Sequence, residues 1–276
     1  MITVENIEVW GWESAIRGMR NPMNSWDKSD TLYCDRVDCD PDRTCPYYGE
    51  GGCHGSDGGI VLGKNDLDLM RRLFKAGTEH RKYLRMIHVS MDKLAPLYWW
   101  KEFDTYKVGT TANSCSTMHK IAAKEFTVDD FSYEHLFSLG TLRMVIDDLN
   151  DNRAMFLSTK NKDYWWQMIQ LLPSSYNQRR TVDFDYETAF SMIRQRTGHK
   201  LDEWNAFVEI LKDLPYVKDI GDLNEKSNHV QRVQSCSTDA IEHVYQVGQF
   251  HLHVRCSGWA EGRRKGTGRM LYIHNR

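Results

Sequence analysis

The chain of 276 residues is long enough for one large domain or two small ones with an ample core. Its 41% hydrophobic and 27% charged residues are typical of a globular protein, and its net charge of −2 argues against a general nucleic-acid coat. No stretch approaches the roughly twenty apolar residues of a membrane-spanning helix, and no secretory signal pattern is present. These features predict a cytoplasmic protein without disulfides.

The N-terminal residues predict a strand, because Ile2, Val4, Ile7 and Val9 alternate with other residues. The next segment, 33–59, is rich in Asp, Gly and Pro and has no periodicity, which predicts a loop.

Four cysteines lie in this loop, at Cys34, Cys39, Cys45 and Cys53. Four, five and seven residues separate neighbouring cysteines. Zinc sites usually contain a ligand pair separated by two to four residues, and the first pair falls just outside that range. Two interpretations stay open: a structural zinc ion held by these cysteines, or a loop of reduced thiols.

Helices and one further strand are predicted after the loop. A helix begins with Asn65 as its N-cap and ends at Gly77. Alternation predicts a strand over 83–91, and a capping box over 127–130 predicts the start of a long helix toward Leu149. Apolar periodicity predicts further helices over 163–172, 184–196 and 201–214.

The segment 95–120 combines an aromatic helix with a run of hydroxyl and amide residues. Trp99, Phe103 and Tyr106 share one face of this helix, and Gly109 ends the pattern. The polar residues that follow are Thr110, Thr111, Asn113, Ser114, Ser116 and Thr117. Such a run suits the binding of a phosphate or a nucleobase, although a solvated loop has the same composition.

The helix predicted over 184–196 carries two arginines on different sides. Arg196 falls within its apolar arc, whereas Arg194 shares the polar side with Glu187. A buried guanidinium requires a carboxylate or phosphate partner, so Arg196 is a candidate anion-binding residue. The alternative is that its long side chain reaches the solvent.

These two segments together resemble the flavin-dependent thymidylate synthase family. Anchored on Ala95-Pro96, residues 101–107 align with the first part of the family signature. Glu102 then stands at the family's Gln, and Thr105-Tyr106-Lys107 stands at its Arg-His-Arg. Asn113 and Ser116 match the later Asn and Ser with one inserted residue.

The second segment extends this resemblance. Counted from Pro173, Arg196 falls on the arginine that binds the substrate phosphate in the family. Asp185 and Glu187 take the places of the family's Asn and first Arg. The resemblance covers 79–216, and the chain also looks like a divergent subgroup of the family found in phages and prophages.

This resemblance implies an α+β fold, with an antiparallel sheet and packed helices, and a homotetramer. It implies the methylation of dUMP to dTMP, with methylenetetrahydrofolate as carbon donor and an FAD that NADPH reduces. The implied FAD-binding residues are Thr105, Tyr106, Lys107 and Asn113. The implied substrate-binding residues are Glu102, Ser114, Ser116, Arg179 and Arg196.

Two other functions remain open. The replacement of Arg-His-Arg suggests a catalytically silent relative that binds a nucleotide or a protein partner. The four cysteines and the basic C-terminus suggest a zinc-stabilised module associated with nucleic acid, although no base-reading motif is present. We expect one α+β domain over 1–218, with the Cys-rich loop at 33–59, and a flexible basic extension over 219–276.

Overall fold

The computed structural model describes residues 2–33, 48–49, 52–53, 60–223, 232–233, 241–247, 250–256 and 269–275. Its strands are β1 (Thr3–Trp10), β2 (Leu32–Tyr33), β3 (Tyr48–Gly49), β4 (Gly52–Cys53), β5 (Ile60–Val61), β6 (His88–Pro96), β7 (Thr110–Ser114), β8 (Asn177–Asp185), β9 (Arg232–Val233), β10 (Ile241–Val247), β11 (Phe250–Cys256) and β12 (Arg269–Asn275). Its α-helices are α1 (Trp12–Arg20), α2 (Lys64–Lys75), α3 (Leu97–Phe103), α4 (Thr117–Lys120), α5 (Gly140–Thr159), α6 (Lys162–Leu171), α7 (Tyr186–Arg196), α8 (Asp202–Lys212) and α9 (Val217–Gly221).

The centre of the fold is an antiparallel sheet in the order β7-β8-β6-β1. Strand β6 pairs with β8 along its whole length, from His88 opposite Asp185 to Pro96 opposite Asn177. On the far side of β1 the sheet continues through β12, β11, β10 and β9. The predicted α+β class with an antiparallel sheet and packed helices is confirmed.

One face of the sheet carries the main hydrophobic core. Along β6 the buried residues alternate with half-buried ones, so every second side chain faces the helices. The core contains residues of α1, α2, α3, α7, α8 and α9. A second, smaller cluster joins α5 and α6 to Ile121, Phe126 and Phe131.

The predicted N-terminal strand is confirmed as β1, although its pairing with β6 is irregular between Glu5 and Glu8. Helix α2 differs at its start: Gly63 is its N-cap, and Asn65 lies within the helix. The carboxylate of Asp30 instead accepts hydrogen bonds from the backbone N–H groups of Asn65 and Asp66. A carboxylate 35 positions before Asn65 thus accepts the backbone hydrogen bonds that a local N-cap side chain is expected to accept.

The strand predicted over 83–91 is partly wrong. Residues Lys82–Met86 form a 3-10 helix in which the adjacent side chains of Tyr83 and Leu84 are both buried, and the strand starts only at His88. The capping box at Thr127 is present, but it caps a single 3-10 turn, Val128–Asp130. Phe131 then forms a β-bridge with Tyr176, so the long helix starts only at Gly140.

The three helices predicted further along are α6, α7 and α8. The helix predicted over 184–196 starts two residues late because Phe184 and Asp185 complete β8. The side chain of Asp185 then caps α7 by accepting a hydrogen bond from the backbone of Thr188, at 2.7 Å.

Two predicted regions are described only in part. Cys34, Cys39 and Cys45 lie outside the described residues, and only the backbone of Cys53 is described, in β4. The sequence predicts a flexible extension over 219–276. The described residues of this range include the end of α9 and the strands β9 to β12, which pair within the sheet. The domain boundary at 218 stays a prediction. Within the described part of the chain, no helix is long and apolar enough to cross a membrane.

Candidate functional site

The orientation of Arg196 follows from the apolar face of α7. Tyr186, Ala189 and Ile193 on this helix are buried, and Arg196 lies on the same side. Its side chain is 17% exposed, whereas Arg194 points to the solvent. The predicted inward orientation of Arg196 is therefore confirmed.

Arg196 is paired with a carboxylate from a distant part of the sequence. Its Nη1 atom donates to Oε2 of Glu102, at the end of α3, over 2.5 Å. The same Oε2 accepts a hydrogen bond from Nε1 of Trp204, on α8, at 3.1 Å. His199 joins them, with its Nε2 atom 3.3 Å from Oε2 of Glu102. Helices α3, α7 and α8 thus meet at one ion pair.

Aromatic rings fix the position of this guanidinium. Nε of Arg196 donates to the hydroxyl of Tyr106 at 2.9 Å, and that hydroxyl donates to Gln195 at 3.0 Å. The guanidinium carbon lies 4.6 Å from the centroid of the Trp204 ring and 5.5 Å from that of Tyr106. We call Glu102, Tyr106, Arg196, His199 and Trp204 the Arg196 cluster.

The other residues implied for FAD do not join this cluster. Thr105 donates its hydroxyl to the backbone of Glu102 at 2.7 Å and is exposed. Lys107 is also exposed, and the described part of the chain offers its ammonium no partner. Asn113 lies on β7, where an exposed strand takes the place of the expected polar loop.

This strand separates residues that the resemblance assigns to one site. Asn113 is opposite Thr181 and Ser114 is opposite Arg180, so the two side chains point to different faces of the sheet. Ser116 is the N-cap of the short helix α4, where its hydroxyl accepts a hydrogen bond from the backbone of His119 at 3.1 Å.

Arg179 belongs to an ion-pair network on the face of the sheet opposite the main core. It donates to Glu5 at 2.8 Å and lies 3.9 Å from Asp92. Hydrogen bonds from Thr181 and Asn6 lower the pKa of Asp92, against a smaller opposing effect of burial. Within one chain, the sheet therefore lies between Arg179 and Arg196.

Three structural features lie outside the predicted site residues. His199 follows Arg196 by three residues, just after the helix end, and that spacing was a usable signal. Arg180 donates to Asp104 at 2.7 Å and stacks on Trp100. Lys93 is buried in the core, and the sequence signal was its place among the apolar positions of an alternating strand.

No protein-family model matches the chain, and no curated protein matches its sequence. Solved structures do match. Thymidylate synthase X (ThyX) from Helicobacter pylori, solved with FAD and dUMP, is similar with a TM-score of 0.55 at 13% identity, over 80% of this chain and 100% of that one. A second structure of this flavin-dependent enzyme from the same organism, also with FAD and dUMP, gives 0.53 at 14%, over 79% and 98%. The chain has a ThyX-like fold.

The ThyX-like fold accounts for the arrangement of helices and sheet, whereas the site must be judged from its own residues. No group of three or more His, Cys, Asp or Glu residues that could hold a metal occurs among the described residues. Of the four cysteines considered as zinc ligands, three lie outside the described part of the chain and only the backbone of Cys53 lies within it, so nothing described supports a zinc site.

Proposed function

We propose that the chain binds a uridine nucleotide and FAD at the Arg196 cluster and methylates carbon-5 of the uracil. The observation that carries this proposal is the contact between Arg196 and the segment 101–107. These two stretches carry the resemblance and are about ninety positions apart in the sequence. Arg196 donates hydrogen bonds to the carboxylate of Glu102 over 2.5 Å and to the hydroxyl of Tyr106 over 2.9 Å. The ThyX-like fold adds support, because the matched structures were solved with FAD and dUMP.

In this proposal the nucleotide phosphate binds Arg196 and Ser116, and the base contacts Glu102. Ser114 and Arg179 are further substrate contacts. Because the sheet lies between Arg179 and Arg196, we propose that Arg179 serves the site of a neighbouring copy in a homo-oligomer.

The residues assigned to FAD fit the needs of a dinucleotide in part. Lys107 and Asn113 are exposed, and no described residue occupies their side-chain donors, so both are available to phosphate oxygens. Tyr106 and Thr105 complete the set. A bound reduced flavin would supply the hydride that turns the methylene carbon of methylenetetrahydrofolate into the methyl group. NADPH is the proposed reductant.

A second candidate is nucleotide binding without turnover. Thr105-Tyr106-Lys107 supplies one ammonium where the family has two guanidinium groups, and an ammonium cannot make the same bidentate contacts. The neutralisation of Arg196 by Glu102 favours the same interpretation.

Three measurements on the purified protein test these candidates. The enzyme proposal predicts a flavin absorbance band, binding of dUMP in titration calorimetry, and tritium release from [5-³H]dUMP with methylenetetrahydrofolate, NADPH and FAD. Arg196→Gln should weaken dUMP binding at least about tenfold, because a charged hydrogen bond is lost. Exposed Arg194→Gln is the matched control and should have little effect.

The outcomes separate the candidates. Binding of dUMP without flavin binding or tritium release would favour the silent relative. A colourless protein that binds neither FAD nor dUMP would rule out both.

A further inference from the structure

The guanidinium of Arg196 is already occupied within the chain. Of its donors, Nε is used by Tyr106 and Nη1 by Glu102, with His199 3.1 Å from the same Nη1 atom. Nη2 has no partner among the described residues. An anion that approaches this side chain therefore meets a group whose charge is balanced and whose donors are partly committed.

The two side chains of this ion pair differ in their exposure and in the contacts that hold them in place. Arg196 lies at the end of α7, is 17% exposed, and is fixed by Tyr106 and by the ring of Trp204. Glu102 is 35% exposed and is held only through Oε2, by Arg196, Trp204 and the nearby His199. Its other oxygen, Oε1, has no described partner. Glu102 is therefore the more exposed member of the pair, and movement of its carboxylate into water would leave the contacts of Arg196 with Tyr106 and Trp204 intact.

The charge of Glu102 opposes an anion at Arg196. A phosphate bound to Nη1 or Nη2 would lie within about 5 Å of the carboxylate. At the effective dielectric constant near a protein surface, repulsion between two negative charges at this distance lowers the affinity for phosphate by more than about tenfold. An anionic ligand must therefore displace Glu102 before it gains the full interaction with the guanidinium.

We propose that Glu102 is an internal competitor for Arg196, which lowers the affinity of the site for phosphate-bearing ligands until the carboxylate moves away. This inference rests on the proposed function for the identity of the nucleotide, but not for its central claim. That claim concerns any small anion at Arg196. Every phosphate-bearing ligand meets the same cost of displacing Glu102, and a ligand that makes further contacts elsewhere in the site can offset this cost, whereas free phosphate cannot.

Phosphate binding to variants of the full chain tests this proposal. Glu102→Gln keeps the shape of the side chain and an oxygen acceptor for Trp204 but removes the charge. We expect this variant to bind inorganic phosphate at least about tenfold more tightly than the wild type, by titration calorimetry at constant ionic strength. The double variant Glu102→Gln/Arg196→Gln should lose the gain.

Glu187→Gln is the matched control, because Glu187 also pairs with an arginine, Arg81, with side-chain exposures of 18% and 12%. Because this pair is more buried than Arg196 and Glu102, the variant should change phosphate affinity much less than Glu102→Gln does. Thermal unfolding of each variant identifies those that fail to fold. The variant Glu102→Asp keeps the charge, so its phosphate affinity should stay close to that of the wild type.

Equal phosphate affinity of Glu102→Gln and the wild type would overturn the proposal, and so would a gain that persists in the double variant. Parallel titrations with dUMP keep this test distinct from the proposed function. A gain for phosphate without specific dUMP binding would leave the competitor role intact and refute the nucleotide assignment. If the wild type binds dUMP but Glu102→Gln binds phosphate no more tightly than the wild type, the nucleotide assignment stands and the competitor role of Glu102 is refuted.

Discussion

The Nζ atom of Lys93 lies 3.2 Å from the centroid of the Phe207 ring. Phe103 and Trp99 lie at 4.5 and 4.6 Å, and among the described residues this nitrogen has no hydrogen-bond partner. Ring faces attract a cation but do not replace its hydration. Burial therefore lowers the pKa of Lys93 well below its ordinary value of 10.5.

Replacement of this amine should stabilise the protein. The unfolded chain binds the Lys93 proton more tightly than the folded chain, so stability is lowest in acid and rises as the pH increases toward 10.5. Lys93→Met should raise the free energy of unfolding by roughly 1–3 kcal/mol near neutral pH and flatten this rise. Urea unfolding from pH 6 to pH 10 measures both effects. A variant with unchanged stability and an unchanged pH slope would contradict the prediction.

Asp66 is the centre of a buried network, and its loss should be costly. Its carboxylate accepts hydrogen bonds from Arg20 (2.6 Å), Thr31 (2.7 Å) and Ser29 (2.8 Å). Asp66→Ala leaves the buried guanidinium of Arg20 without a counter-charge, with only uncharged oxygens of Ser25 and Lys28 as hydrogen-bond partners among the described residues, and should destabilise the fold by about 3–5 kcal/mol. The exposed pair of Arg17 and Glu13 supplies the control, since Glu13→Gln should change stability by less than about 1 kcal/mol.

The same carboxylate makes stability depend on pH. Burial raises the pKa of Asp66, but hydrogen bonds from Thr31, Ser29 and Arg20 outweigh burial, and the net shift is downward from 3.8. This stabilisation is complete above pH 3.8 and is lost as the pH falls through the folded value. Thermal unfolding between pH 2 and pH 6 should show a steeper acid dependence in the wild type than in Asp66→Asn.

Glu187 stands where the resemblance expects an arginine, and Arg81 compensates for its charge. Arg81 donates twice to Oε1 of Glu187, at 2.8 and 3.1 Å, while Oε2 is buried without a described partner. Arg81→Met alone should therefore be more destabilising than Arg81→Met combined with Glu187→Met. A double-mutant cycle should give a coupling of roughly 1–3 kcal/mol. Simple additivity would indicate that the pair contributes nothing.

Gly109 is needed for two reasons at once. Its φ angle is +81°, and a Cβ atom there would lie 3.0 Å from the side chains of Asp185 and Thr188, which form the N-cap region of α7. Gly77 has a φ angle of +106° but no atom within 4 Å of such a Cβ. We expect Gly109→Ala to cost at least about 1 kcal/mol more than Gly77→Ala in urea unfolding. Equal costs would mean that only backbone strain matters.

The sequence predicts the elements of this fold better than their contacts. The apolar periodicity of α7 correctly places Arg196 toward the interior, because helix faces follow from local spacing. Its partner, Glu102, is 94 positions away and depends on how α3 packs against α7 and α8. No local pattern encodes that packing.

Two other features of the chain also depend on contacts that local sequence patterns do not predict. Treatment of residues after Gly109 as a loop hides the alternation of β7, which sends Asn113 and Ser114 to different faces of the sheet. The cap of α2 comes from Asp30, across the 33–59 segment, so a local search selects Asn65 instead. In both cases tertiary pairing decides a feature that local composition leaves open.

The pairing of β2 with β5 has a consequence for how the segment between these two strands can vary. Leu32 is opposite Val61, and Asp66 binds the backbone of Asp30 and Thr31 just before β2 begins. The two ends of the segment between these strands are thus held next to each other by the β2–β5 pairing and by Asp66. We therefore expect that a change in the length of this segment leaves the sheet, and helix α7 that carries Arg196, unchanged.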